Sequence, residues 1–255
     1  MCEEEFEALG GVAAKKSAML EKNGPGYFAA AMLAGGYVGF GILLIFTAGG
    51  ALSPAPSTKI VMGVSFGIAL SLVMMAGAEL FTGNNMIMTI GMSRKTVSIA
   101  QTLKLWVVCF AGNWLGAVAL SLVFLGSGLA DGATGEFMSH ASLAKTSVAP
   151  FPLFLRGVLC NVLVCLAVWC SYRCKTEIGK LVMIFWCLYG FITCGFEHCV
   201  ANMTLLTVGV LAPGGPEVAL AGYFYNIFVV TLGNIVGAIV CMTLPYYLMS
   251  RKARE

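Results

Sequence analysis

The chain has 255 residues, 59% of them hydrophobic and 11% charged, with a mean hydropathy of +0.89. That leaves too little polar surface to solvate a water-soluble globule, and the apolar runs are continuous rather than alternating, which selects membrane-spanning helices over a β-barrel. The net charge of +3 is too small to imply a nucleic-acid partner, but its distribution is informative.

Lys15, Lys16 and Lys22 precede the first apolar run, and Arg94, Lys95 and Lys104 fall between the second and third. Arg173, Lys175 and Lys180 fall between the fourth and fifth, and Arg251, Lys252 and Arg254 follow the sixth. Only Lys59, Lys145 and Arg156 remain for the opposite side. The excess of basic residues on the inner side then predicts an even number of spans with both termini cytoplasmic.

In chain order, residues 1–26 read as a cytoplasmic N-terminal segment. Its opening, Glu3-Glu4-Glu5-Phe6-Glu7, lacks the basic region of a signal peptide, predicts a short surface helix, and raises the expectation that this acid-rich segment closes a path from the cytoplasm. Span one covers residues 28–48, with Gly35 and Gly39 four apart as a small-residue seam. Span two starts near Lys59 and carries Phe66, Leu70 and Glu79 before Thr82-Gly83-Asn84-Asn85 interrupts it. The apolar piece that follows, residues 86–92, is too short to cross a membrane alone, so two half-helices meet at a polar break.

Span three covers residues 99–125 and closes a first transmembrane repeat at 27–126. Residues 127–150, with Asp131, Glu136, His140 and Lys145, form an outer linker. The second repeat, 151–249, holds span four with Asn161, a fifth span broken from Glu197 to Asn202, and a sixth, before a short tail at 250–255. Glu79 and Glu197 are 118 residues apart, as are Asn84 and Asn202, and Gly-Asn-x-x-Gly occurs at Gly112 and again at Gly233. The reading is an all-α membrane protein: six transmembrane helices in two inverted three-helix repeats, the second and fifth helices broken, an architecture shared with water and glycerol channels. The ten cysteines show no metal-site spacing and read as small apolar packing groups, so no metal and no cofactor are expected.

Several stretches resemble the formate/nitrite transporter family over nearly the whole chain. They are Leu80-Phe81-Thr82-Gly83-Asn84, Ala144-Lys145-Thr146, the run from Leu159 to Ala167, Phe196-Glu197-His198, Val200-Ala201-Asn202-Met203 and the two Gly-Asn-x-x-Gly segments. The resemblance implies a homopentamer in a bacterial inner (plasma) membrane, with a narrow pore through each protomer for small monovalent anions of weak acids, and no enzymatic activity. The wording of Leu143-Ala144-Lys145-Thr146 and of residues 156–169 lies nearest the nitrite branch, with formate and hydrosulfide as alternative substrates and a water or glycerol channel as the remote one.

By that resemblance His198 lies at the pore centre, where an imidazole titrating near pH 6.5 can donate a hydrogen bond or a proton to a passing anion. Lys145 draws anions inward, and Asn161 and Thr82 match polar positions beside the histidine and at the first break; both also read as partners for backbone groups freed by the breaks. Glu197 and Asn202 complete the polar set, Glu197 either ordering nearby backbone or tuning a proton donor. Phe66, Leu70, Leu80 and Phe191 match two apolar constrictions. A bare ion in such a medium is disfavoured by an idealised cost of order 20 kcal/mol, so an anion crosses only where donors replace water or after taking up a proton. Glu197-His198 alone does not make a zinc-protease motif, because His140 is the only other histidine.

Overall fold

The computed structural model describes residues 2–250, so the basic residues Arg251, Lys252 and Arg254 of the tail lie outside the described residues. The regular structure among the described residues is all helical and includes six spans long and apolar enough to cross a membrane. Helix α1 (Glu3–Lys22) precedes span one, α2 (Gly24–Leu52). Span two is α3 (Thr58–Ser65) and α4 (Ile68–Ala76), followed by the half-helix α5 (Phe81–Ser93) and span three, α6 (Ile99–Gly126). The second half begins with α7 (Ala133–Thr146) and span four, α8 (Pro150–Arg173). Span five is α9 (Glu177–Cys194) with its half-helix α10 (Cys199–Leu211). Span six joins α11 (Leu220–Val236), a π-helical segment (Gly237–Thr243) and α12 (Leu244–Ser250). Pro245, which has no N–H for the carbonyl of Cys241 in that looser segment, stands two residues after its end.

The two repeats are inverted copies, and the physical reason for the Gly-Asn-x-x-Gly motif is visible in both. A Cβ on Gly116 would fall 1.9 Å from Met32 O, and one on Gly35 would fall 2.0 Å from Asn113 O. Helices α2 and α6 therefore touch backbone to backbone. Gly233 and Gly237 play the same part against Phe154 O and Val158 O, bringing α11 onto α8.

The breaks lie earlier than the polar residues suggest. Helix α4 ends at Gly77 (φ 76°) and α9 at Gly195 (φ 76°), both left-handed, where only glycine is free of steric cost. Residues 77–80 and 195–198 make the crossings, whereas Thr82, Asn84 and Asn85 lie in α5 and Asn202 lies in α10. The predicted outer linker is mostly helix α7, with Met138, Ser139 and Ser142 buried against the bundle. It packs on α10 as α1 packs on α5. Gly91 of α5 leaves room for Ala13 of α1, and Gly209 of α10 leaves room for Ser142 of α7. Each repeat thus starts one helix earlier than its first span.

Helix α1 is docked rather than loosely apposed: Phe6, Leu9 and Ala13 are fully buried. Its acidic residues do not face the interior. Glu7 pairs with Arg94 (3.0 Å) and Glu5 with Arg173 (3.1 Å), while the base Lys16 turns inward. Arg94 also bonds Ser250 Oγ (3.4 Å), so both ends of the described chain lie on one face of the bundle.

Candidate functional site

The site is built where the two crossings meet. An extended crossing frees backbone groups that cannot be left unpaired in a bilayer. Asn113 of α6 accepts from Phe81 N (2.9 Å) and donates to Glu79 O (2.9 Å) and Ala31 O (2.7 Å). Asn234 of α11 repeats this, accepting from Cys199 N (3.0 Å) and donating to Glu197 O (3.0 Å) and Gly157 O (2.8 Å). Glu79 N donates to Ala30 O and Glu197 N to Arg156 O. One asparagine per repeat therefore ties the crossing to two spans.

The carboxylates of the crossings are paired. Glu197 is 2% exposed, holds Lys145 Nζ at 2.7 Å and accepts from Asn202 Nδ2 at 2.7 Å. Asn202 also donates to Asn226 Oδ1 (2.8 Å), and Asn226 donates to Lys145 O (3.1 Å), which closes a ring around the last turn of α7. In the other repeat Glu79 holds Lys16 Nζ at 2.5 Å and accepts from Asn84 Nδ2 (2.9 Å) and Tyr27 OH (3.1 Å). Lys16, Tyr27 and Asn226 are members of this network that no motif marked, and Asn113 and Asn234, marked by Gly-Asn-x-x-Gly, were not assigned to the site. Lys16 had no marker beyond its charge, but the Glu-x-x-x-x-Asn repeat at Glu79 was a signal that a second lysine was needed.

His198 is the N-cap of α10. Its Nδ1 accepts from Ala201 N (3.1 Å), so Nε2 carries the proton and donates it to Thr82 Oγ1 (2.9 Å) in the first turn of α5. The N-terminal ends of two half-helices converge at this pair, and such ends favour negative charge. Asn161 is buried beside it but directs its amide to Asn234 O at 2.7 Å, Thr82 O at 3.3 Å and, more weakly, Asn85 Oδ1 at 3.5 Å. It ties α5 to α11.

Three cavities are each lined by residues of the crossings. On the α7 side a vestibule of about 440 Å³ is lined by Phe46, Phe137, Phe196, Lys59 and Lys145. On the α1 side a vestibule of about 60 Å³ is lined by Lys16, Asn84, Tyr172 and Ile87. Between them lies a chamber lined by Leu70, Leu80, Phe191 and His198, its one polar side chain. Leu70 and Leu80 line both the chamber and the α1-side vestibule, so they form the partition between them. Phe191 stacks on His198 (6.0 Å), and Phe66 packs edge-on against Phe191 (5.3 Å). The ten cysteines are all free, and no group of His, Cys, Asp and Glu among the described residues could hold a metal ion.

The family model described as "Formate/nitrite transporter" matches residues 3–248. The nitrite transporter NirC of Salmonella typhimurium (strain LT2) is 40% identical over 244 residues, 95% of this chain and 90% of the relative. A solved structure described as an FNT family ion channel superposes with a TM-score of 0.92 at 38% identity, covering 97% of this chain and 99% of its own. A pentameric formate channel with formate bound superposes with a TM-score of 0.80 at 28% identity, covering 90% and 98%.

Proposed function

The chain belongs to the formate/nitrite transporter family, a family of transporters and not of enzymes, and from that premise we propose that it conducts nitrite across the bacterial inner membrane. Formate and hydrosulfide, small weak-acid anions of the same charge, are the second reading, favoured by the likeness to a formate channel. The likeness to a pentameric channel supports a homopentamer, each protomer carrying its own path. The distribution of Lys and Arg supports a cytoplasmic α1 face and an outer α7 face.

The observation that carries this reading is His198, bonded to Thr82, as the one polar side chain lining an otherwise apolar chamber. An anion enters the outer vestibule, where Lys145 is the exposed member of its ion pair: its side chain is 23% exposed against 2% for Glu197. The path therefore meets the cation first, in surroundings that screen it poorly. Phe66 and Phe191, then Leu70 and Leu80, form the two constrictions that strip water from the ion. In the chamber the only side-chain donor to replace that water is His198, whose Nε2–H is held by Thr82 until an anion competes for it. The converging half-helix ends add to the attraction, and the anion leaves past Lys16.

Uptake by proteoliposomes tests the reading. Nitrite is expected to enter fastest, followed by formate and hydrosulfide, and glycerol not at all. Swelling in glycerol with no anion uptake would assign the chain to neutral-solute transport.

A further inference from the structure

Four side chains complete the wall of the central chamber: Val38 of α2, Ala69 of α4, Val164 of α8 and Leu188 of α9. All are 3% exposed or less. The chamber's volume is about 10 Å³, close to the smallest that admits one water. A transported ion of a few heavy atoms therefore presses on these walls, and the walls have little room to retreat. Behind Ala69, α2 is already in contact: a Cβ on Gly41 would fall 2.7 Å from Ala69 Cβ and 3.0 Å from the Phe66 ring. A larger side chain at position 69 must project into the chamber.

His198 offers a donor that every small carboxylate or oxyanion satisfies alike, so it recognises charge without measuring size. Discrimination by an apolar pocket does measure size, and one methylene is worth about 10- to 200-fold. Resting on the anion-channel reading, we propose that Val38, Ala69, Val164 and Leu188 are specificity-determining residues that set the upper size of the acid transported. Formate and nitrite, at three heavy atoms, pass; acetate and longer monocarboxylates are disfavoured by the wall rather than by the histidine.

The test is uptake of nitrite, formate and acetate into proteoliposomes carrying wild type, Leu188→Ala, Val38→Ala or Ala69→Val, with Leu188→Val in reserve if the alanine variant does not assemble. The acetate-to-formate ratio is expected to rise about tenfold or more in the widened variants. Ala69→Val is expected to lower nitrite and formate uptake and to lower acetate further. A ratio unchanged within about twofold in both widened variants, while formate still flows, would overturn the size assignment and leave the anion-channel reading intact. Wild type carrying neither nitrite nor formate would overturn both.

Discussion

His198 accepts a hydrogen bond through Nδ1 from the backbone N–H of Ala201, 3.1 Å away, and this fixes which nitrogen faces Thr82. One side chain thus ends the crossing, starts α10 and holds the one polar group of the chamber. The two tasks separate by substitution. His198→Ala removes the cap and is expected to destabilise the fold by about 0.5–2 kcal/mol, whereas His198→Asn, which also caps helices, is expected to keep most of that stability. Thermal unfolding in detergent measures the difference.

The Lys145–Glu197 pair makes an asymmetric prediction. Lys145→Gln leaves a carboxylate that is 2% exposed without its counter-charge, which is expected to cost about 3–5 kcal/mol. Glu197→Gln leaves an ammonium that reaches the vestibule, and the neutral amide still accepts from Asn202, so the loss is expected to be smaller. Unfolding midpoints in the order wild type, Glu197→Gln, Lys145→Gln are the result to look for.

Asn113 and Asn234 occupy the same place in the two repeats, and each partners one N–H and two carbonyls. Replacing either by leucine orphans those groups, at about 1–3 kcal/mol for each buried group left unpaired. Both variants are expected to lose stability by similar amounts, read as a loss of assembled protein on size-exclusion chromatography. A large loss for one and none for the other would mean that one crossing stands without its tie.

The α2–α6 seam predicts a sharp contrast between glycines. Gly116→Ala places a Cβ 1.9 Å from Met32 O and must push the two spans apart, whereas Gly36→Ala meets nothing within 4 Å. The first is expected to abolish accumulation of folded protein in the membrane and the second to leave it unchanged, as quantified by fluorescence-detected chromatography of a tagged chain.

The inverted architecture was legible because the spans are long apolar runs and because Glu79 and Glu197, and then Asn84 and Asn202, recur at one spacing. The position of the breaks was not, because polarity and chain reversal are set by different residues. Gly77 and Gly195 end the helices by their left-handed backbone, while Thr82 and Asn202 belong to the helices that follow. Helix α7 read as part of a linker because three of its four buried residues, Gly135, Ser139 and Ser142, are small and carry little hydrophobic signal, leaving Met138 alone as a large apolar one. The equivalence of α1 and α7 extends to Lys16 and Lys145: Lys145 was marked by its motif, whereas Lys16 is identified only by the glutamate it reaches across the fold.

The central claim is that His198 supplies the hydrogen bond on which passage depends. Nitrite uptake by proteoliposomes carrying wild type or the cap-preserving His198→Asn tests it most directly. The assembled variant is expected to conduct at least about tenfold more slowly than wild type, a loss of transition-state stabilisation of about 1.4 kcal/mol or more. An assembled His198→Asn channel with the wild-type rate would contradict it.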